Sequence, residues 1–196
     1  RRAVHGRRTE DTMSALSRWT IGLGLCIAAF AQGSLREASA QASRPIDEMR
    51  GNCDHYALDV RKELAAMAGA PRNLTALTER GAAPPISPNR QTLLVTLHHR
   101  EAVTLVATPK LSSPNAGLVA LSVPEDGLYR ISAGAAVWIE VVHGQARAEP
   151  TQFEMQTGCA TLFKTIQYRL KKGVGYWIEL SGNMTAVTLL LSSETR

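Results

Sequence analysis

Tyr129-Arg-Ile-Ser-Ala-Gly134-Ala-Ala-Val-Trp138-Ile-Glu140-Val141 returns 39 residues later as Tyr168-Arg-Leu-Lys-Lys-Gly173-Val-Gly-Tyr-Trp177-Ile-Glu179-Leu180. Tyr, Arg, Gly, Trp, Ile and Glu are identical in the two copies. Ile131/Leu170 and Val141/Leu180 are close in shape. Each copy reads as strand, glycine-containing turn, strand, the pattern of a β-hairpin. Two copies are too few for a propeller or solenoid. The expectation is an antiparallel sheet protein built partly from two similar ribbons.

Outward from this repeat, the period stays at two. Strands are expected at Thr92–Leu97, Ala102–Ala107, Gly117–Val123, Leu128–Ala133, Val137–Val142, Lys164–Leu170, Tyr176–Leu180 and Thr185–Ser192. Alternation is clearest where Ile166, Tyr168 and Leu170 share one face and Thr165, Gln167 and Arg169 the other. Pro124-Glu-Asp-Gly127 is a turn, and Gln145–Gly158 a longer loop. The fold class is therefore mainly β: an antiparallel, jelly-roll-like β-sandwich of about eight strands, with one N-terminal α-helix.

That helix is expected over Asn52–Ala68. Tyr56, Val60, Leu64 and Met67 make an apolar stripe. Asn52 caps its start, and Gly69 with Pro71 stops it. Arg72–Asn89, with Pro84, Pro85 and Pro88, reads as a connector. The organisation is 1–42 extension and signal peptide, 43–90 helix and connector, 91–196 β-sandwich.

Residues 1–42 carry the marks of a secretory leader. Arg18 lies before the apolar run Ile21–Ala31, and Ala38-Ser-Ala40 and Ala40-Gln-Ala42 fit cleavage. The run is shorter than the ~20 residues a membrane helix needs, so no span is expected after cleavage. Cys26 lies inside it, behind Leu25, and is read as part of the discarded peptide. The expected location is periplasmic or secreted. The chain is +5 overall, but residues 1–42 hold six Arg against Glu10, Asp11 and Glu37, which leaves 16 basic and 14 acidic residues beyond them. A near-neutral body excludes nucleic acid as the expected partner. In an oxidising compartment the two remaining cysteines, Cys53 and Cys159, are expected to pair.

The run Asp126-Gly-Leu-Tyr-Arg-Ile131, then Val137-Trp-Ile-Glu-Val-Val142, then Gly175-Tyr-Trp-Ile-Glu-Leu-Ser-Gly182 resembles the bacterial pre-peptidase C-terminal type of β-sandwich. Cys53, the Trp138 strand and Gly158-Cys159 before Lys164 also resemble small secreted bacterial proteins of unknown function. The resemblance covers about Leu93 to Leu191, plus Cys53, and its motifs are structural.

Two constellations carry chemistry. Trp138 with Glu140, and Trp177 with Glu179, project in pairs from their strands. Indole faces stack on sugar rings and carboxylates accept hydroxyl hydrogen bonds. These four residues are the expected glycan or envelope-ligand site. The competing expectation buries the tryptophans and pairs the glutamates with Arg130 or Arg169. His99, Glu101 and the distant His143 match the order of a non-haem iron triad, the basis of an alternative, dioxygenase-like reading. No catalytic residue is assigned, no cofactor is expected, and a non-enzymatic role is favoured. Oligomeric state is not legible.

Overall fold

The computed structural model describes residues 49–109 and 112–194; the leader expectation for 1–42, with Cys26, lies outside them. Among the described residues eleven strands form two sheets: β1 (Arg72–Thr75), β2 (Leu93–Thr96), β3 (His98–His99), β4 (Asn115–Leu121), β5 (Gly127–Ala133), β6 (Trp138–His143), β7 (Ala146–Arg147), β8 (Pro150–Met155), β9 (Lys164–Leu170), β10 (Tyr176–Gly182) and β11 (Ala186–Ser193). One sheet runs β1-β2-β11-β5-β9-β8, the other β3-β4-β10-β6-β7. Every pairing is antiparallel except β1 with β2. The two inner faces meet in one apolar core that includes Val95, Tyr129, Ile131, Val141, Tyr168, Ile178, Leu180 and Leu189.

The repeat is real, but its copies are not hairpins. β5 lies in the six-stranded sheet and β6 in the five-stranded one, and β9 and β10 divide in the same way. Each copy is an arch that crosses the sandwich. The alternation requires it: Tyr129, Ile131 and Ala133 face Ile139 and Val141 across the core, and a hairpin would leave both apolar rows on one sheet. The arches then pair with each other. Tyr129 lies opposite Tyr168 on β5/β9, and Glu140 opposite Glu179 on β6/β10. Both pairs are residues one repeat apart, so a local two-fold axis runs through the sandwich between them.

The expected strand Ala102–Ala107 is absent. A 3-10 turn occupies Arg100–Ala102, and the chain then crosses the outer face of the five-stranded sheet. Its donors are met one by one: Thr104 N–H by the Thr78 carbonyl, Val106 and Ala107 N–H by the Glu179 carboxylate. Two expected irregular segments hold strands instead. β1 lies inside the connector, and β7 and β8 lie inside Gln145–Gly158. All three are edge elements with exposed residues, so no apolar alternation marks them.

The expected long helix is broken. Asn52 caps a 3-10 turn at Cys53–His55, and α1 spans only Arg61–Met67. Between them the Glu154 carboxylate takes the N–H groups of Ala57 and Leu58 at 2.9 and 3.2 Å, which a continuous helix needs for itself. The apolar stripe still docks. Val60 and Met67 are buried with Leu162 and Leu190, and Tyr56 and Leu64 pack against them. Cys53 and Cys159 form the expected disulfide, with Cα atoms 4.6 Å apart, and it ties this layer to the segment before β9.

Candidate functional site

Strand parity and register decide where the tryptophans point. On β6, Ile139 and Val141 enter the core, so Trp138, Glu140 and Val142 face outward. On β10, Ile178 and Leu180 enter, so Trp177, Glu179 and Ser181 face the same way. Trp138 is opposite Ser181 and Trp177 opposite Val142. The two indoles thus lie diagonally across the central Glu140–Glu179 pair. Four residues of rise and one strand spacing separate their Cα atoms by about 14 Å. Both are half-buried.

The two halves of this face differ. Glu179 is 0 % exposed, and its oxygens accept from Val106 N–H at 2.7 Å and Ala107 N–H at 2.9 Å. Val103, Leu105, Leu77 and Trp177 cluster over Leu118 beside it. Glu140 keeps part of its surface, with Arg147 Nη1 3.9 Å from its Oε2. Arg130, expected as a partner for these glutamates, is on the other sheet and pairs with Glu63 and Glu194.

Trp177 also lines a shallow cleft of about 320 Å³, with Pro85, Ala120, Ser122 and the Gly173–Gly175 turn. Gly173 sits at φ +76°, a backbone that glycine adopts without strain. Arg80 reaches the Gly144 carbonyl, and His143 Nδ1 lies 2.9 Å from the Gly175 carbonyl. These links fix the loops beside the cleft.

The His99/Glu101/His143 set is not assembled. His99 pairs with Asn115 at one end of β4, whereas His143 lies beside Tyr176, which pairs with Leu121 at the other end. Six rises and three strand spacings place the two histidines roughly 25 Å apart. His99 and Glu101 share an open hollow with Ser112 and Pro114. Among the described residues, no group of three or more His, Cys, Asp or Glu side chains is placed to hold a metal ion.

No protein-family model, curated protein or solved structure matches the chain. The residues above therefore stand on their own geometry. Among them, Pro85 and Arg80 had no signal in the sequence, because only the return of the 77–86 segment along β4 brings them there. That return is made by Leu77 and Ile86, which bridge to Leu118 and Leu121. No helix among the described residues is long and apolar enough to cross a membrane.

Proposed function

We propose that this chain is an exported, non-catalytic β-sandwich module that binds a glycan or a related cell-envelope ligand on the outer face of its five-stranded sheet. The observation that carries the reading is that Trp138 and Trp177 emerge half-exposed on one face, on either side of Glu140. Indole faces stack on sugar rings; Glu140 between them offers an acceptor, and Arg147, beside it on edge strand β7, offers donors for hydroxyls. Glu179 has a different part: it holds the loop that shapes the Trp177 side. The disulfide supports export, since such bonds persist in oxidising compartments.

The strand orders β2-β11-β5-β9 and β4-β10-β6-β7, with the chain changing sheet on entering β3, β5, β6, β8, β10 and β11, support reading the sandwich as a jelly roll. That architecture includes lectin domains, which agrees with the proposal by analogy of fold alone. We also keep the relation to pre-peptidase C-terminal domains as part of this proposal.

A glycan array with the protein and its Trp138→Ala/Trp177→Ala variant tests the function. Binding to a defined oligosaccharide that is lost in the double variant supports it. Binding unchanged by the double variant, or no binding to any glycan, sinks it.

A further inference from the structure

A second cavity, of about 260 Å³, lies on the opposite side of the molecule. It sits between α1, the loop Pro88–Arg90 and the outer face of β11. Its volume equals about nine water molecules at liquid density, below the ~300 Å³ at which drug-sized pockets begin. The mouth carries two exposed cations, Lys62 and Arg90, and Asn89 and Ser193 beside them. Asn89 Oδ1 accepts the Gln91 N–H at 3.0 Å, which turns its amide donor away from that bond. The inner wall holds Glu63, 4 % exposed. Its Oε1 takes Ser192 Oγ at 2.7 Å and Arg130 Nη1 at 3.4 Å, while its Oε2 has no hydrogen-bond partner.

The backbone adds an independent sign. Arg90 has φ +58°, and it is the single non-glycine residue with positive φ among the described residues. An L side chain with a bulky stem is strained there, and glycine would sit without penalty. A residue kept in a strained conformation at a cavity mouth points to a use for its side chain.

We infer that this cavity binds a monosaccharide-sized, hydroxylated anion. Lys62 and Arg90 hold the anionic group, since both donate without accepting and Arg matches carboxylate and phosphate geometry. Asn89, Ser192 and Ser193 meet hydroxyls, and Glu63 is the acceptor at the inner wall. The Trp face plays no part in this site, so the two proposals stand or fall separately.

The test is a titration of the isotope-labelled full chain followed by NMR, with glucose 6-phosphate, glucuronate, inorganic phosphate and glucose as probes. Glucose 6-phosphate or glucuronate should shift the amides of Lys62, Arg90, Ser192 and Ser193, and glucose should not. Which of the two binds tighter separates a phosphate from a carboxylate ligand. Arg90→Gly should weaken binding at least tenfold while the melting temperature holds or rises, because the left-handed strain is removed. Lys62→Ala, an exposed change, should weaken it as well. The inference is overturned if neither sugar anion moves these amides at millimolar concentration. It is also overturned if inorganic phosphate binds as tightly as both, or if Arg90→Gly binds like the parent.

Discussion

Glu140 and Glu179 lie directly opposite each other at the centre of the β6/β10 pair, one repeat apart, and do different work. Like charges opposed across strands destabilise a sheet. Here one carboxylate is spent on two backbone N–H groups of the covering loop and the other leans to Arg147. Glu179→Ala removes two charge-assisted bonds in a buried setting, and should cost about 3 kcal/mol or more. Glu140→Ala breaks a long, partly exposed pair, and should cost under about 1 kcal/mol. Urea denaturation of the two variants checks the contrast. Hydrogen exchange at Val106 and Ala107 should accelerate in the first and not in the second. Equal losses would remove the division of labour.

The disulfide closes a separation of 106 residues. Chain-entropy reasoning assigns such a loop about 4–5 kcal/mol of stabilisation through the unfolded state. The Cys53→Ser/Cys159→Ser variant should lose a large part of that in its urea midpoint, and the layer formed by Tyr56, Val60 and Met67 should exchange first. A midpoint unchanged by the double substitution would show that the packing of this layer suffices.

Lys164 gives a pH dependence. Burial pushes its ammonium down to about 8. Between about pH 8 and 10 the unfolded chain therefore holds a proton that the folded chain has released. Stability rises with pH across that window. Half-buried Tyr56 and buried Tyr129 and Tyr168 act in the opposite sense: desolvation holds their hydroxyls above the ordinary value of 10. The unfolded chain then loses tyrosine protons first, and stability falls as pH passes 10. Denaturant midpoints at pH 7, 8.5 and 9.5 should climb. Lys164→Met should raise stability at pH 7 by about 1–2 kcal/mol, after discount for partial exposure, and flatten the climb. A parent profile already flat from pH 7 to 9.5 would contradict this.

Much of this architecture was legible because burial on one face forces a period of two. β9 matches its expected bounds, and β2, β4, β5, β6, β10 and β11 fall within two residues of theirs at each end. The sheet to which each strand belongs was not legible. An arch and a hairpin share the same local pattern, and only the need of both apolar rows for a partner separates them. The helix failed for a similar reason: its stripe is correct, but Glu154, 97 residues from Ala57, takes the N–H groups that the helix needs. At the sites, parity was enough to put Trp138 and Trp177 on matching sides. It did not reveal that a loop buries Glu179, nor that Arg130 faces α1. Arg90 carries no sequence mark, since its strain exists only in the folded loop.

Arg130 is the last case, and it turns on burial. It is 8 % exposed, pairs with Glu63 and Glu194, and donates to the Asp59 carbonyl at 2.9 Å. Its Nε has no partner, nor has Glu63 Oε2, so the cluster is incompletely satisfied. Removing one member of a buried ion pair leaves the other charge stranded, at about 3–5 kcal/mol. Replacing the buried members Arg130, Glu63 and Ser192 with apolar residues of like volume avoids that cost, since Glu194 is partly exposed and can turn to water. Arg130→Met should therefore destabilise strongly, whereas Arg130→Met/Glu63→Leu/Ser192→Val should recover most of the loss. Guanidinium melts of the two variants decide it. A triple variant as unstable as the single one would mean that packing around Arg130, and not its charge, holds α1 to the sheet.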